Sequence, residues 1–334
     1  MNTLTFSGSP FDRGVAHGRA LRDQILPRVE QTWRQSHPEA IRPVIDRTAN
    51  LLEKQFSELN AEIRGIAEGA QLPFEQVFLY NNRSLLREVE ACSHLAVHVD
   101  GRTFVGMNKD VPLPFTDHYF VKKSVSETGL ASIGYGHAGR VWGYGMNSRG
   151  LCAAGTAAHP RDNDHQSPTV GLYFLGPIVL GRCADAIEAR DLVMGLESIS
   201  EGGNLLLADK AGNMFVIELS PKKRVVRQPE NGRIFSSNFY ASGHIPHKDM
   251  PDYLRETTAR FATIRDMLCA NEKISTDRVQ AILAAHREPG AVCRHGDLNF
   301  RTQLAWTAEP AERRFGLCDG YPCRGPFGSW TLSQ

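Results

Sequence analysis

Several familiar signatures are missing from this 334-residue chain, and each absence removes a class of function. No G-x-G-x-x-G links a strand to a helix, no G-x-x-x-x-G-K-[ST] occurs, and neither H-E-x-x-H nor G-x-S-x-G is present. The nucleotide-binding, zinc-protease and serine-esterase readings lose their usual support. No apolar run approaches the ~20 residues that span a bilayer, and the opening MNTLTFSGSPFDRG has no basic start followed by an apolar stretch. A cytoplasmic protein with no membrane partner is the expectation. An excess of charge is lacking as well: the formal net charge is +1, so nucleic acid is not called for. The seven cysteines, Cys92, Cys152, Cys183, Cys269, Cys293, Cys318 and Cys323, are odd in number and contain no C-x-x-C. Neither a disulfide framework nor a zinc ribbon is signalled, and reduced thiols fit best.

What is present is ordinary globular composition, 41% hydrophobic and 22% charged. Apolar residues recur at helical spacing over 10–35, again over 45–69 with Gly69 as a stop, and over a short stretch near 74–82. The texture then changes. Leu95–Val99 and Thr103–Met107 alternate on either side of Asp100-Gly101-Arg102, which reads as a hairpin because an Asp-Gly pair tolerates positive φ. Further strands are expected at 119–126, 131–136, 141–146, 151–157, 204–209, 213–219, 223–228, 233–237, 303–308 and 314–318, with helices at 182–198 and 253–286. Helices and hairpins are segregated, so the class is α+β with stacked antiparallel sheets covered by helices, in one domain.

Candidate chemistry is sparse. His94 and His98, and His244 and His247, have ligand-like spacing, but no acidic or thiol partner completes a set, and neither a metal nor a cofactor is expected. Free cysteine is most often a small buried hydrophobe, which covers Cys152, Cys183 and Cys269. Cys92 stands at the mouth of the hairpin. A nucleophile there needs a base, and EACSHL matches no papain-like or caspase-like signature. One solution is the cysteine's own α-amine, with a pKa of about 7.7–8.0, freed by breaking the Ala91–Cys92 bond. Thiol attack on the Ala91 carbonyl, then hydrolysis of the thioester, would accomplish this.

These residues, with their neighbours, resemble a known family. GSPFDRGVAHGRALRDQI, GIAEGAQLPFEQVFLYNNRSLL, GMNKD at 106–110, YGMNSRGL at 144–151, GNLLLADKAGNMFVIELSP at 203–221 and CRHGDLNFRTQLAWTAEPAERRFGLCDGYPC occur in the family's order. The chain is similar to the acyl-coenzyme A:6-aminopenicillanic acid acyltransferase-like N-terminal nucleophile (Ntn) hydrolases, more distantly related to conjugated bile acid and penicillin V hydrolases. The resemblance implies a four-layer αββα sandwich and self-cleavage into a helical segment, 1–91, and a catalytic chain, 92–334, that stay associated as one domain, with higher oligomers open.

It also implies roles. Cys92 would attack an amide or thioester carbonyl while its freed amine shuttles the proton. Asp110 would hold that amine. Asn238, followed by Phe239 where the family often has histidine, would stabilise the oxyanion, a contribution of roughly 3–4 kcal/mol in comparable sites. Arg301 would sit beside Cys92, favouring thiolate and anchoring Asp110. Asn147 would supply a further polar contact or shape a turn. The expected substrate is a small acyl amide or acyl thioester; Tyr119, Trp142, Tyr144 and Phe174 either line an apolar acyl pocket or simply fill the core. Hydrolysis and acyl transfer remain alternatives, as does a non-catalytic protein of the same fold that never matures.

Overall fold

The computed structural model describes residues 1–82, 91–113, 118–127, 129–141, 143–162, 170–197, 199, 202–270 and 272–332. Trp142 lies outside the described residues. Helices α1 (Pro10–Ala20), α2 (Arg22–Gln35), α3 (Pro38–Gln55), α4 (Ser57–Ala70) and α5 (Phe74–Asn81) open the chain. Ser9 caps α1, its hydroxyl accepting from the Asp12 N–H at 3.2 Å, and Pro10 occupies the first turn. The single helices expected over 10–35 and 45–69 are each two, because the backbone leaves helical geometry at Leu21 (φ −122°) and Phe56 (φ −146°).

Gly69 does not stop its helix. Gly14 and Gly18 on α1 face Gly65 and Gly69 on α4, where an added Cβ would collide with a carbonyl of the other helix. The glycines let the two backbones touch, and α4 ends instead at Gln71 in the left-handed conformation, φ 57°.

Two sheets follow. The eight-stranded sheet runs β1 (Thr3–Gly8), β4 (Tyr119–Ser126), β5 (Ser132–His137), β6 (Gly145–Asn147), β7 (Leu151–Ala157), β8 (Gly203–Asp209), β9 (Met214–Leu219) and β10 (Arg224–Arg227). It is antiparallel except that β1 joins β4 in parallel, so the wholly antiparallel expectation is corrected at that edge. The six-stranded sheet runs β11 (Arg233–Ser236), β2 (Ser93–Val99), β3 (Arg102–Pro112), β12 (Phe300–Glu309), β13 (Arg314–Asp319) and β14 (Gly328–Thr331), antiparallel throughout.

The sheets stack with β2 against β7 and β8. Helices α6 (Leu172–Arg182) and α7 (Ala186–Met194) cover the larger sheet, while α8 (Pro251–Cys269) and α9 (Thr276–Leu283) cover the smaller one. The order is therefore helix, sheet, sheet, helix, the αββα sandwich. No described helix is long and apolar enough to cross a membrane.

The β2–β3 hairpin fixes which side chains face which layer. Asp100 (φ 51°) and Gly101 (φ 70°) form its two-residue turn, and Val99 pairs with Arg102. Along β3, Val105 and Met107 enter the core between the sheets, whereas Phe104 joins the cluster under α8 and α9. Asn108 follows Phe104, its Nδ2 donating to the Leu283 and Val292 carbonyls at 2.8 and 2.9 Å. Strand alternation then turns Asp110 toward the helices and Lys109 toward the inter-sheet core.

Candidate active site

Ala91 and Cys92 lie at the mouth of β2, both 0% exposed. Ser93 pairs with Asn108, so the preceding residues run alongside Lys109 and Asp110, and the Ala91 N–H donates to the Asp110 carbonyl at 3.4 Å. The Cys92 Sγ approaches the same carbonyl at 4.0 Å. Burial raises the Cys92 thiol pKa, with the Lys109 and Arg260 cations working against it.

Arg260, on α8, is the hub of this region. One guanidinium nitrogen donates to the Cys92 carbonyl at 2.7 Å and the Ser93 hydroxyl at 2.8 Å, and another donates to Asn238 Oδ1 at 3.0 Å. It also reaches Glu256, at 3.1 and 3.2 Å, the Thr257 hydroxyl at 3.5 Å and Asp110 Oδ2 at 3.8 Å. Burial opposes its charge, but the Glu256 and Asp110 carboxylates outweigh it and hold the guanidinium more firmly protonated than usual.

Asp110 is wholly buried, and burial pushes its carboxyl up to about 6 against the pull of Arg260, Arg294 and Thr302. Its Oδ1 accepts from the Thr302 hydroxyl at 2.7 Å, while Oδ2 accepts no hydrogen bond among the described residues. The Arg294 N–H donates in turn to the Thr302 hydroxyl at 2.9 Å. Asn238 is fixed by its N–H to the Thr257 hydroxyl at 2.8 Å and by Nδ2 to the Ala157 carbonyl at 2.7 Å.

Cys92, Asp110 and Asn238 thus converge on one cation. The other two expected site residues, Arg301 and Asn147, are not among the described hydrogen-bond partners of Arg260. Arg301 pairs with Val111, next to Thr302, which pairs with Asp110; alternation points its side chain away from Asp110, and it donates to Gln303 at 3.1 Å. The cations that act on Cys92 are Lys109, across the hairpin, and Arg260, on a helix whose Glu256–Arg260 spacing reads as a solvent-facing pair.

Asn147 serves its turn. Its Oδ1 accepts from the Arg149 and Leu151 N–H groups, and its Nδ2 donates to the Leu180 and Cys183 carbonyls. Cys152 and Cys183 are buried as expected, burial raising both thiols, but Cys269 is exposed at the end of α8. Of the named pocket residues, Tyr144 hydrogen-bonds the Leu172 carbonyl at 3.1 Å and borders a cavity of about 290 Å³ lined also by Arg13, Glu62 and Lys122, away from Cys92.

Residues 97–322 match the family model of acyl-coenzyme A:6-aminopenicillanic acid acyl-transferase. The chain belongs to that family. Membership in the acyl-transferase family places it among the Ntn hydrolases, enzymes that transfer acyl groups or hydrolyse amides. The matched stretch includes Asp110, Asn238 and Arg260 and begins just after Cys92. Among solved structures, the chain is similar to a mutant conjugated bile acid hydrolase from Clostridium perfringens, at 12% identity and TM-score 0.43, over 72% of this chain and 97% of that one. It is also similar to penicillin V acylase from Agrobacterium tumefaciens, at 14% identity and TM-score 0.41, over 68% and 82%.

Proposed function

We propose that the chain is a self-processing cysteine Ntn enzyme that cleaves or transfers the acyl group of a small amide or thioester through a Cys92 acyl-enzyme. The observation that carries this reading is the complete burial of Cys92 beside a carboxylate whose Oδ2 accepts no hydrogen bond among the described residues. Attack of Sγ on the Ala91 carbonyl carbon closes a five-membered ring; the C–N bond then breaks and the thiol proton ends on the released amine. Water hydrolyses the thioester, leaving a carboxyl on Ala91 and the thiol on Cys92.

The new α-amine would emerge beside Asp110, whose Oδ2 would accept from it. In turnover that amine takes the thiol proton as Sγ attacks the substrate carbonyl and returns it to the leaving group. Lys109 and Arg260 favour the thiolate, and an Asn238 Nδ2 hydrogen would stabilise the oxyanion. Water as acceptor gives hydrolysis, and an amine gives transfer.

The core explains why two processed chains would stay together. Ile25, Val77 and Phe78 from the helical segment share one cluster with Tyr135 and Val141 from the catalytic one. Intact-mass analysis of purified protein tests the reading: two fragments divided at Ala91/Cys92, with activity on N-acyl amino acids, penicillins or acyl thioesters, are expected. One persistent chain, inert to all of these, would leave a binding protein of the same fold.

A further inference from the structure

A second cluster of reactive side chains lies next to Arg294 and Thr302, which support Asp110. His286, just after α9, meets Cys293, His295 and Cys323, with one ligand-capable atom from each lying within 4.8 Å of all the others. The two sulfurs are 3.6 Å apart, and His295 Nε2 is 3.5 Å from Cys293 Sγ and 3.3 Å from Cys323 Sγ. Zinc bonds of about 2.3 Å to sulfur and about 2.0–2.1 Å to nitrogen give tetrahedral edges of about 3.8 Å between sulfurs and about 3.6 Å between sulfur and nitrogen. The separations among Cys293, His295 and Cys323 are close to those of one face of a tetrahedron around a zinc ion, and His286, within 4.8 Å of all three, stands where a small side-chain movement completes it. A disulfide would bring the sulfurs to about 2.05 Å, far closer than they stand.

We propose that His286, Cys293, His295 and Cys323 bind one structural Zn²⁺. Two thiolates and two neutral imidazoles neutralise the divalent charge, and four protein ligands leave no open position, which makes the site a clamp rather than a second catalytic centre. Tyr321 stacks on His295 with ring centroids 4.0 Å apart, holding that ring in place.

The clamp has a mechanical consequence. Cys293 and His295 flank Arg294, whose N–H meets the Thr302 hydroxyl and whose carbonyl accepts from the Thr302 N–H at 3.0 Å. Thr302 in turn donates to Asp110. Val292 is held from the other side by Asn108 of the GMNKD stretch. Zinc would staple the 286–295 loop to the turn at Cys323 and so fix the support of the catalytic carboxylate.

The test is metal analysis of full-length protein purified without chelator or immobilised-metal chromatography. About one zinc per chain is expected in the wild type and in Cys92→Ala, falling at least about tenfold in Cys293→Ser and in the surface variants His286→Ala and Cys323→Ser. Cobalt(II) chloride added to zinc-stripped protein should give thiolate-to-cobalt charge-transfer bands that Cys323→Ser weakens. Chelation should lower the melting temperature of the wild type and leave that of His286→Ala nearly unmoved. Wild-type protein with no zinc above trace and no cobalt–thiolate band would overturn the proposal. So would a Cys293–Cys323 disulfide in protein prepared anaerobically, or undiminished zinc in Cys293→Ser/Cys323→Ser.

Discussion

Arg260 is the residue whose replacement should separate packing from chemistry. Arg260→Ala removes the cation from between the buried Asp110 and the part-buried Glu256, leaving Arg294, 3.7 Å from Glu256, as the remaining cation near both. Breaking a buried pair in this way costs about 3–5 kcal/mol, enough to threaten folding. Arg260→Lys is the informative variant. It keeps the charge but loses the planar fork that reaches the Cys92 carbonyl, Ser93 and Asn238 together. One lost charge-assisted bond of about 1.5–3 kcal/mol, felt in the cleavage transition state, slows processing by about 10- to 150-fold. Mass spectrometry of a processing time course reads this directly. Because the weaker cation also supports Asp110 less well, the acid limb of the processing profile should move to higher pH. Arg260→Lys maturing at the wild-type rate, with an unchanged profile, would refute the hub role.

Cys92→Ala should abolish both self-cleavage and turnover, while Cys183→Ala leaves both nearly intact; equal loss from the two, followed by mass and activity assay, would point to packing. Asn147→Ala removes four hydrogen bonds and should cost about 2–4 kcal/mol in urea denaturation, yet the folded fraction should still process. A complete block in well-folded Asn147→Ala would place this residue in the chemistry after all.

The fold is legible where its signals are local. The bounds expected for β4 and β7, 119–126 and 151–157, coincide with the observed strands, because alternation and flanking turn residues act within a few positions. β1 escapes such a reading because its parallel pairing with β4 joins segments more than a hundred residues apart. Helix α6, LYFLGPIVLGR, escapes it for a different reason: buried on nearly every side, it has no polar face and so no helical period, and Pro177 argues against a helix. The site divides the same way. Cys92, Asp110 and Asn238 stand in motifs, but Arg260 follows Glu256 by four residues and reads as a surface pair until α8 docks on the sheet. The His286, Cys293, His295 and Cys323 cluster has no zinc-ribbon spacing, because the last ligand arrives from another turn.

The bond proposed to break decides what must change at maturation. Arg260 holds the carbonyl of Cys92, which remains in the chain, so the anchors to Ser93 and Asn238 survive cleavage. What the proposed cleavage would add is an amine facing Asp110. In uncleaved Cys92→Ala, the folded carboxyl titrates at about 6 and the unfolded one near 3.8, so the folded state holds its proton more tightly. Its contribution is therefore most favourable below about pH 4 and is lost as pH rises to about 6, a change of about 3 kcal/mol at 1.36 kcal/mol per unit. A neighbouring ammonium favours the carboxylate and pulls that pKa down. Denaturation of Cys92→Ala should accordingly show stability falling between pH 4 and 6 from this group, the slope should vanish in Cys92→Ala/Asp110→Asn, and mature protein should show a flatter slope than Cys92→Ala. Identical slopes in mature and uncleaved protein would mean that the freed amine does not reach Asp110, and that the proton shuttle lies with another group.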